Sequence, residues 1–141
     1  MDTIDLHTPA RNDEAFVEAH DAGGSQDAEW FEETVRAVRA ARSSTGGAVM
    51  VHCHMGINRA PSMAFALLLD QGWAPLDALD AILEARPIAA IAYAESALRW
   101  HHGRLGSDPA DLNRDLDLVR DWFVHNDVDA ARSIGRIRQA G

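Results

Sequence analysis

Lysine is absent from this sequence: all thirteen basic residues are arginines, set against 22 acidic residues. The formal net charge is -9, so the chain lacks the broad basic face that proteins use to neutralise nucleic-acid phosphates. The same acidic balance opposes docking on anionic membranes. We therefore expect neither nucleic acid nor membrane among its partners.

Long apolar runs and a second cysteine are missing as well. No stretch reaches the roughly eighteen apolar residues that a membrane-spanning helix needs. The acidic start Met1–Asp5 lacks the basic residues of a secretory signal. These absences predict a cytoplasmic protein, and the single Cys53 excludes an internal disulfide.

In the first part of the chain, sequence patterns typical of short strands and of helices follow one another. Thr3–His7 predicts a strand, and the spacing of apolar residues in Asn12–His20 predicts a helix. Asp27 is a typical N-cap for a helix that continues to about Arg42. The apolar run Ala48–His52 predicts a fully buried, parallel strand.

The rest of the chain has helical patterns, and the first of these helices is apolar nearly all round and therefore central. We expect an α/β fold with a parallel-sheet core flanked by helices in residues 1–105, and a helical C-terminal extension in residues 106–141 packed on it. Inward-facing residues of the predicted core include Trp30, Phe31, Val35, Val38, Trp73, Trp100 and Trp122. The predicted helices are Ala60–Gln71, Pro75–Ala85, Ala92–His102, one capped by Ser107-Asp108-Pro109, and Val128–Ala140.

The loop between the buried strand and the central helix carries the chemistry. A strand, a tight glycine-containing loop and a helix form an anion-binding geometry, because backbone N–H groups and the helix dipole face the same point. Cys53 opens this loop, and such surroundings lower the pKa of a thiol and produce a nucleophilic thiolate. Arg59 follows six residues later, and its planar guanidinium suits two phosphoryl oxygens. Gly56 lets the backbone approach a ligand closely.

The run VHCHMGINRAPSMAFALLL resembles the dual-specificity branch of the protein tyrosine phosphatase superfamily. Ala85-Arg86-Pro87-Ile88 and the later Tyr93–Leu98 resemble that family's segment after its next helix. The resemblance implies a protein tyrosine phosphatase-like fold, shortened at its N-terminal end. It implies that His52 orders the loop and that backbone groups of five residues bind the phosphate beside Arg59: His54, Met55, Gly56, Ile57 and Asn58.

The residue after the loop arginine departs from that family's pattern. Most relatives carry Ser or Thr there, and its hydroxyl donates to the thiolate while the cysteinyl-phosphate breaks down. Ala60 has no hydroxyl, so the resemblance implies slow dephosphorylation of the enzyme unless Ser62 compensates.

The general acid is the least determined part of the site. The family's acid is an aspartate about thirty residues before the cysteine, and Asp21 stands thirty-two residues before Cys53. Asp27 is the substitute, although its interpretation as a helix N-cap is stronger. A third alternative is that the chain has no acid at all.

Two hypotheses on function follow from the resemblance. The first is a phosphatase that hydrolyses phosphomonoesters through a cysteinyl-phosphate, with protein phosphotyrosine, phosphoserine or phosphothreonine, or a small phosphomonoester, as substrate. The second is a catalytically weak, phosphate-binding pseudophosphatase that acts as an interaction module. Neither needs a cofactor or a metal, and the adjacent His101 and His102 match no ordinary zinc spacing. A second subunit can cover an exposed edge of the sheet, so the sequence is compatible with a homo-oligomer.

Overall fold

The structure is a computed structural model that describes residues 2–5, 14–16, 27–45, 49–52 and 59–126, with the backbone alone for the strands. Three short strands and five helices follow one another along these residues. The strands are β1 (Asp2–Asp5), β2 (Glu14–Phe16) and β3 (Val49–His52). The helices are α1 (Ala28–Thr45), α2 (Arg59–Asp70), α3 (Pro75–Ala85), α4 (Ala94–Leu105) and α5 (Pro109–Asn126).

The three strands pair in the order β2-β1-β3, and both pairings are parallel. Asp5 at the end of β1 is the register partner of Phe16 on one side and of His52 on the other. The carboxyl ends of all three strands therefore lie at one edge. The loop that begins at Cys53 leaves the sheet from that edge.

The helix predicted for Asn12–His20 is wrong at Glu14–Phe16, which form β2. These residues pair with Thr3–Asp5 of β1 along their whole length. A segment of nine residues is too short for its apolar spacing to separate the two periods, and pairing with a neighbouring strand overrides a weak helical preference. A strand, β2, thus precedes Asp21 in the N-terminal part of the domain, which the resemblance implied to be shortened.

Helix α2 is central, as its apolar composition predicts. It packs against α1, α3, α4 and β3, and Met63, Phe65 and Ala66 are fully buried. The turn after the helix contains Gly72, whose φ of 92° lies in the left-handed region. There the N–H of Gly72 donates to the Leu69 carbonyl and the N–H of Trp73 to the Leu68 carbonyl, which satisfies two terminal carbonyls of the helix.

The tryptophans divide between the core and the surface. Trp100 and Trp122 are 5% and 7% exposed, as expected, but Trp73 is 43% exposed, and its prediction as a core residue is wrong. Trp73 lies in the turn between α2 and α3 rather than on the inward face of a helix. On α1 the four predicted core residues are all buried: Trp30, Phe31, Val35 and Val38.

Helix α5 packs against α3 and α4 and buries Leu116, Val119 and Trp122. Its start agrees with the predicted cap, because Asp108 Oδ1 accepts the Ala110 N–H at 2.8 Å. The helix predicted at Val128–Ala140 lies outside the described residues. Within the part of the chain that is described, no helix has the length and apolarity to cross a membrane.

Candidate active site

The six residues from Cys53 to Asn58 join the last residue of β3 to the first residue of α2. His52 closes β3 and Arg59 opens α2, so the motif falls between a strand end and a helix N-terminus. Such a junction directs the first N–H groups of the helix, and the positive end of its dipole, toward the loop. The loop residues themselves, His54, Met55, Gly56, Ile57 and Asn58 among them, lie outside the described residues, as does Asp21.

Arg59 is half-buried at the first position of α2. Pro61 and Ser62, which follow within the same turn, are buried in the core. The buried side chains of Pro61 and Ser62 therefore hold the first turn of α2, and Arg59 lies at the end of this turn nearest the loop. The role of Arg59 as a phosphate-binding residue stays a prediction.

Asp27 caps α1, as its structural interpretation predicts. Its Oδ1 accepts the backbone N–H of Trp30 at 3.0 Å, three residues along the chain. This bond satisfies one of the N–H groups that the first turn of a helix leaves without a partner. The observed role of Asp27 is thus to fix the start of α1.

The first turns of α1, α2 and α4 meet through buried groups that the sequence motifs did not reveal. Tyr93, directly before α4, is 1% exposed and packs edge-on against Trp30 with ring centroids 6.1 Å apart. The backbone N–H of Tyr93 donates to Ser62 Oγ at 3.2 Å. The sequence signal that could have indicated this contact was the lone serine in the apolar run of α2, because a buried hydroxyl requires a hydrogen-bond partner. The Ser62 hydroxyl, which the resemblance named as the substitute for the one missing at Ala60, thus accepts a hydrogen bond from the backbone ahead of α4.

A charged cluster joins the far ends of the same helices. The carboxylate of Asp70 at the end of α2 accepts hydrogen bonds from Arg39 Nε at 3.0 Å and from Arg104 Nη1 at 2.6 Å. Burial of Asp70 opposes its ionisation, but the hydrogen bonds and charges of the two arginines outweigh burial and lower its pKa. The cluster fixes the end of α2 opposite to Arg59.

The paired histidines of α4 have separate partners. His102 Nε2 lies 2.7 Å from Asp115 Oδ2 of α5, whereas His101 Nδ1 accepts from Arg104 Nη2 at 3.1 Å. Burial, followed by the charges of Arg104 and His102, lowers the pKa of His101. Across the described ranges, no three potential metal-ligating side chains of His, Cys, Asp or Glu gather in one place.

Comparison with known families places these features in one class. The model of the dual specificity phosphatase catalytic domain matches residues 5–94, which contain the whole strand–loop–helix and the segment up to the start of α4. The chain therefore belongs to the dual specificity phosphatase catalytic-domain family. A comparison with curated protein sequences finds no match.

Solved structures show the same fold. Human DUSP28 is 18% identical with a TM-score of 0.62, over 75% of this chain and 80% of that one. A second structure of human DUSP28, of a variant, is 24% identical with a TM-score of 0.59, over 74% and 76%. Tk-PTP in its active form is 19% identical with a TM-score of 0.55, over 72% and 78%. At these identities the likeness establishes a protein tyrosine phosphatase-like fold.

Proposed function

We propose that this chain is a cysteine-dependent phosphatase that hydrolyses phosphomonoesters, with phosphotyrosine and the phosphoserine or phosphothreonine of proteins as its substrate class. The observation that carries the proposal is the position of the Cys53–Arg59 motif between β3 and α2, inside the residues that match the family. In this reaction the Cys53 thiolate attacks phosphorus, and the bond from phosphorus to the leaving oxygen breaks. Arg59 and the loop amides hold the phosphoryl oxygens.

The second half of the reaction returns the enzyme to its starting state. Water attacks the phosphorus of the cysteinyl-phosphate, the sulfur–phosphorus bond breaks, and inorganic phosphate leaves. An acid must protonate the leaving oxygen in the first step and accept the proton of water in the second. The Cys53 thiolate, the acid and water supply every group that the two steps need, so the reaction requires no cofactor or metal.

The parallel sheet supports Asp21 as that acid. Phe16 ends β2 at the edge from which the Cys53 loop leaves, and Asp21 follows five residues later. Two strand spacings separate β2 from β3 by roughly 10 Å. Five extended residues span up to about 17 Å, so the chain after β2 is long enough to bring Asp21 to the loop.

Hydrolysis of p-nitrophenyl phosphate and of a phosphotyrosine peptide tests the proposal. Cys53→Ser should reduce both reactions to background, and Arg59→Lys should restore little, because a point charge does not replace the fork of guanidinium donors. Turnover by Cys53→Ser within about tenfold of the wild type would exclude Cys53 as the nucleophile.

The acid is tested by a matched pair of substitutions. Asp21→Asn should slow the phosphotyrosine peptide by roughly 100-fold or more and p-nitrophenyl phosphate far less, because nitrophenolate leaves without protonation. Asp27→Asn should leave both rates unchanged, since asparagine caps a helix about as well as aspartate. The reverse result would assign the acid to Asp27.

The alternative is a phosphate-binding module with weak turnover, favoured by one observation. Of the two candidate acids, Asp27 is engaged in capping α1. A wild type that hydrolyses p-nitrophenyl phosphate but not the phosphopeptide would show an intact loop without an acid. A wild type that binds inorganic phosphate and hydrolyses neither compound would establish the binding module.

A further inference from the structure

The segment between α3 and α4 contains a backbone conformation that its residue does not favour. Ile91 has a φ of 54°, in the left-handed region, and it is the only residue other than glycine with a positive φ in the described part of the chain. A β-branched residue in this region is strained and keeps the conformation only where its surroundings impose it. Ile91 is fully buried, and its carbonyl accepts the Ala94 N–H at 3.1 Å.

The hydroxyl of Ser62 holds the end of this segment. It accepts the N–H of Tyr93 at 3.2 Å, and both residues are buried. Tyr93 is the N-cap of α4 and its own side chain makes no capping bond, while its carbonyl accepts the Ala97 N–H at 2.9 Å. Ser62 thus joins the start of α4 to the first turn of α2.

That first turn begins at Arg59, three residues before Ser62. Positions three apart on a helix lie on the same face, one turn from each other. The far end of α2 is fixed by Asp70 through Arg39 and Arg104. The bond at Ser62 therefore adds a contact near the loop end of α2, where the direction of the helix sets the place of Arg59.

We propose that Ser62 is a positioning residue: by anchoring the strained segment before α4 to α2, its hydroxyl sets the orientation of Arg59 toward the phosphoryl group. The proposal rests on the proposed function of the Cys53–Arg59 loop. Without the hydroxyl, the Tyr93 N–H loses its acceptor and the strain at Ile91 is free to relax. The first turn of α2 then shifts, and the guanidinium no longer meets the phosphoryl oxygens at its best geometry.

Substitution of Ser62 by alanine tests the proposal, with Thr34→Val as the matched control. Thr34 is also fully buried, and its Oγ1 has no hydrogen-bond partner among the described residues, so valine removes a hydroxyl that holds none of them in place. Both variants are measured well below their unfolding temperatures, and rates are expressed per folded molecule. The two measurements are kcat and KM for p-nitrophenyl phosphate, and inhibition by inorganic phosphate.

The expected result is a loss of roughly tenfold in kcat/KM for Ser62→Ala, since small misplacements of a positioning group cost this much or more. The inhibition constant of inorganic phosphate should rise with it, because Arg59 binds phosphate in the ground state as well. Ser62→Thr, which keeps the acceptor, should recover most of the loss, and Thr34→Val should stay within about twofold of the wild type. A residue with a structural role alone would lower the unfolding temperature without these changes.

The outcomes separate the two proposals. An active wild type with Ser62→Ala within about twofold in kcat/KM and in phosphate inhibition overturns the role of Ser62 and leaves the phosphatase intact. If Ser62→Thr fails to fold, the difference in phosphate inhibition between Ser62→Ala and Thr34→Val still decides. A wild type that binds phosphate without hydrolysing it overturns the enzyme, and phosphate affinity then judges Ser62. A wild type that neither hydrolyses nor binds overturns both.

Discussion

Helix α4 has two sides that are held by different kinds of contact. On the side of α1 and α2, Trp100 stacks on Phe31 with ring centroids 5.9 Å apart and donates from Nε1 to Glu32 at 2.8 Å. The guanidinium of Arg104 lies over the Trp100 ring, 4.4 Å from its centroid, and also reaches Asp70. Aromatic stacking and charge thus act here on the same side chains.

On the side of α5, the apolar packing and the polar contacts to α4 are carried by separate residues. A stripe of buried apolar side chains on α5 packs inward, while a hydrogen bond and an ion pair link its neighbouring residues to α4. His102 meets Asp115 at 2.7 Å, and Arg120 meets Glu95 at 2.6 Å. Trp122 belongs to the stripe and also donates from Nε1 to Asp80 of α3 at 2.8 Å.

The difference between the two sides of α4 is expected to separate contacts that affect only stability from contacts that also affect catalysis. The family match ends at residue 94, so α1, α2 and the motif loop lie inside it and α5 lies beyond it. The contacts that reach α2 act on the helix that begins with Arg59, whereas α5 touches α3 and α4. We therefore expect changes on the α5 side to alter the free energy of unfolding and changes around α2 to alter both stability and catalysis.

The largest effect is expected for Trp122→Ala on the α5 side. Truncating this buried side chain removes its packing against the core and its bond to Asp80, at a cost of about 3–5 kcal/mol in the free energy of unfolding. Trp122→Phe, which keeps most of the apolar contact, should cost clearly less. Urea unfolding measures both, and kcat/KM per folded molecule should stay at the wild-type value. A parallel loss of kcat/KM in the folded protein would contradict the separation.

Much of this fold was predictable because its helices carry strong local signals. Pro75 indicated the start of α3, and Asp27 indicated the start of α1. β2 was missed because three residues hold too little periodicity to outweigh propensity, and its pairing with β1 is not local. Trp73 was wrongly predicted as a core residue because hydrophobicity alone does not distinguish a residue in a turn from one on the inward face of a helix.

The candidate site divides in the same way. Cys53 and Arg59 are candidates from the sequence alone because the chemistry proposed for them depends on spacing within one loop, which a sequence displays directly. The acid and the role of Ser62 depend on segments that meet only through the fold, such as Tyr93, thirty-one residues from Ser62. The left-handed conformation of Ile91 was unpredictable, because a β-branched residue is among those least suited to it.

A smaller effect is expected for Asp70→Asn on the α2 side. The change keeps the shape of the side chain but removes the charge that Arg39 and Arg104 bind, so it should cost about 1.5–3 kcal/mol near neutral pH. The folded-state pKa of Asp70 lies below 3.8, so its ionisation stabilises the fold above that pH, and this contribution is lost as the pH falls through the folded-state pKa. The variant should therefore lose less stability than the wild type on acidification below pH 3.8.

Glu33→Gln, which removes an exposed carboxylate of α1, is the matched control for the lost charge and should stay within about 0.5 kcal/mol of the wild type. Urea unfolding at neutral and acidic pH compares the three proteins. Because Asp70 fixes the end of α2, Asp70→Asn should also lower kcat/KM slightly. An unchanged rate together with a loss of stability would assign Asp70 to the purely structural contacts.

The smallest effect is expected at His101, which borders the same cluster. Its Nδ1 accepts from Arg104, which only donates, so the neutral ring carries its proton on Nε2. Burial, then the charges of Arg104 and His102, hold its folded-state pKa below 6.5, and Asp70 and Asp115 offset this only in part. As the pH falls below 6.5, His101 is protonated in the unfolded chain but not in the folded protein, so the free energy of unfolding declines until the folded-state pKa is reached.

His101→Gln, which cannot be protonated, should remove that part of the decline, as measured by urea unfolding at pH values on either side of 6.5. Equal declines in the wild type and the variant would mean that burial and the charge of Arg104 do not keep His101 neutral in the folded protein.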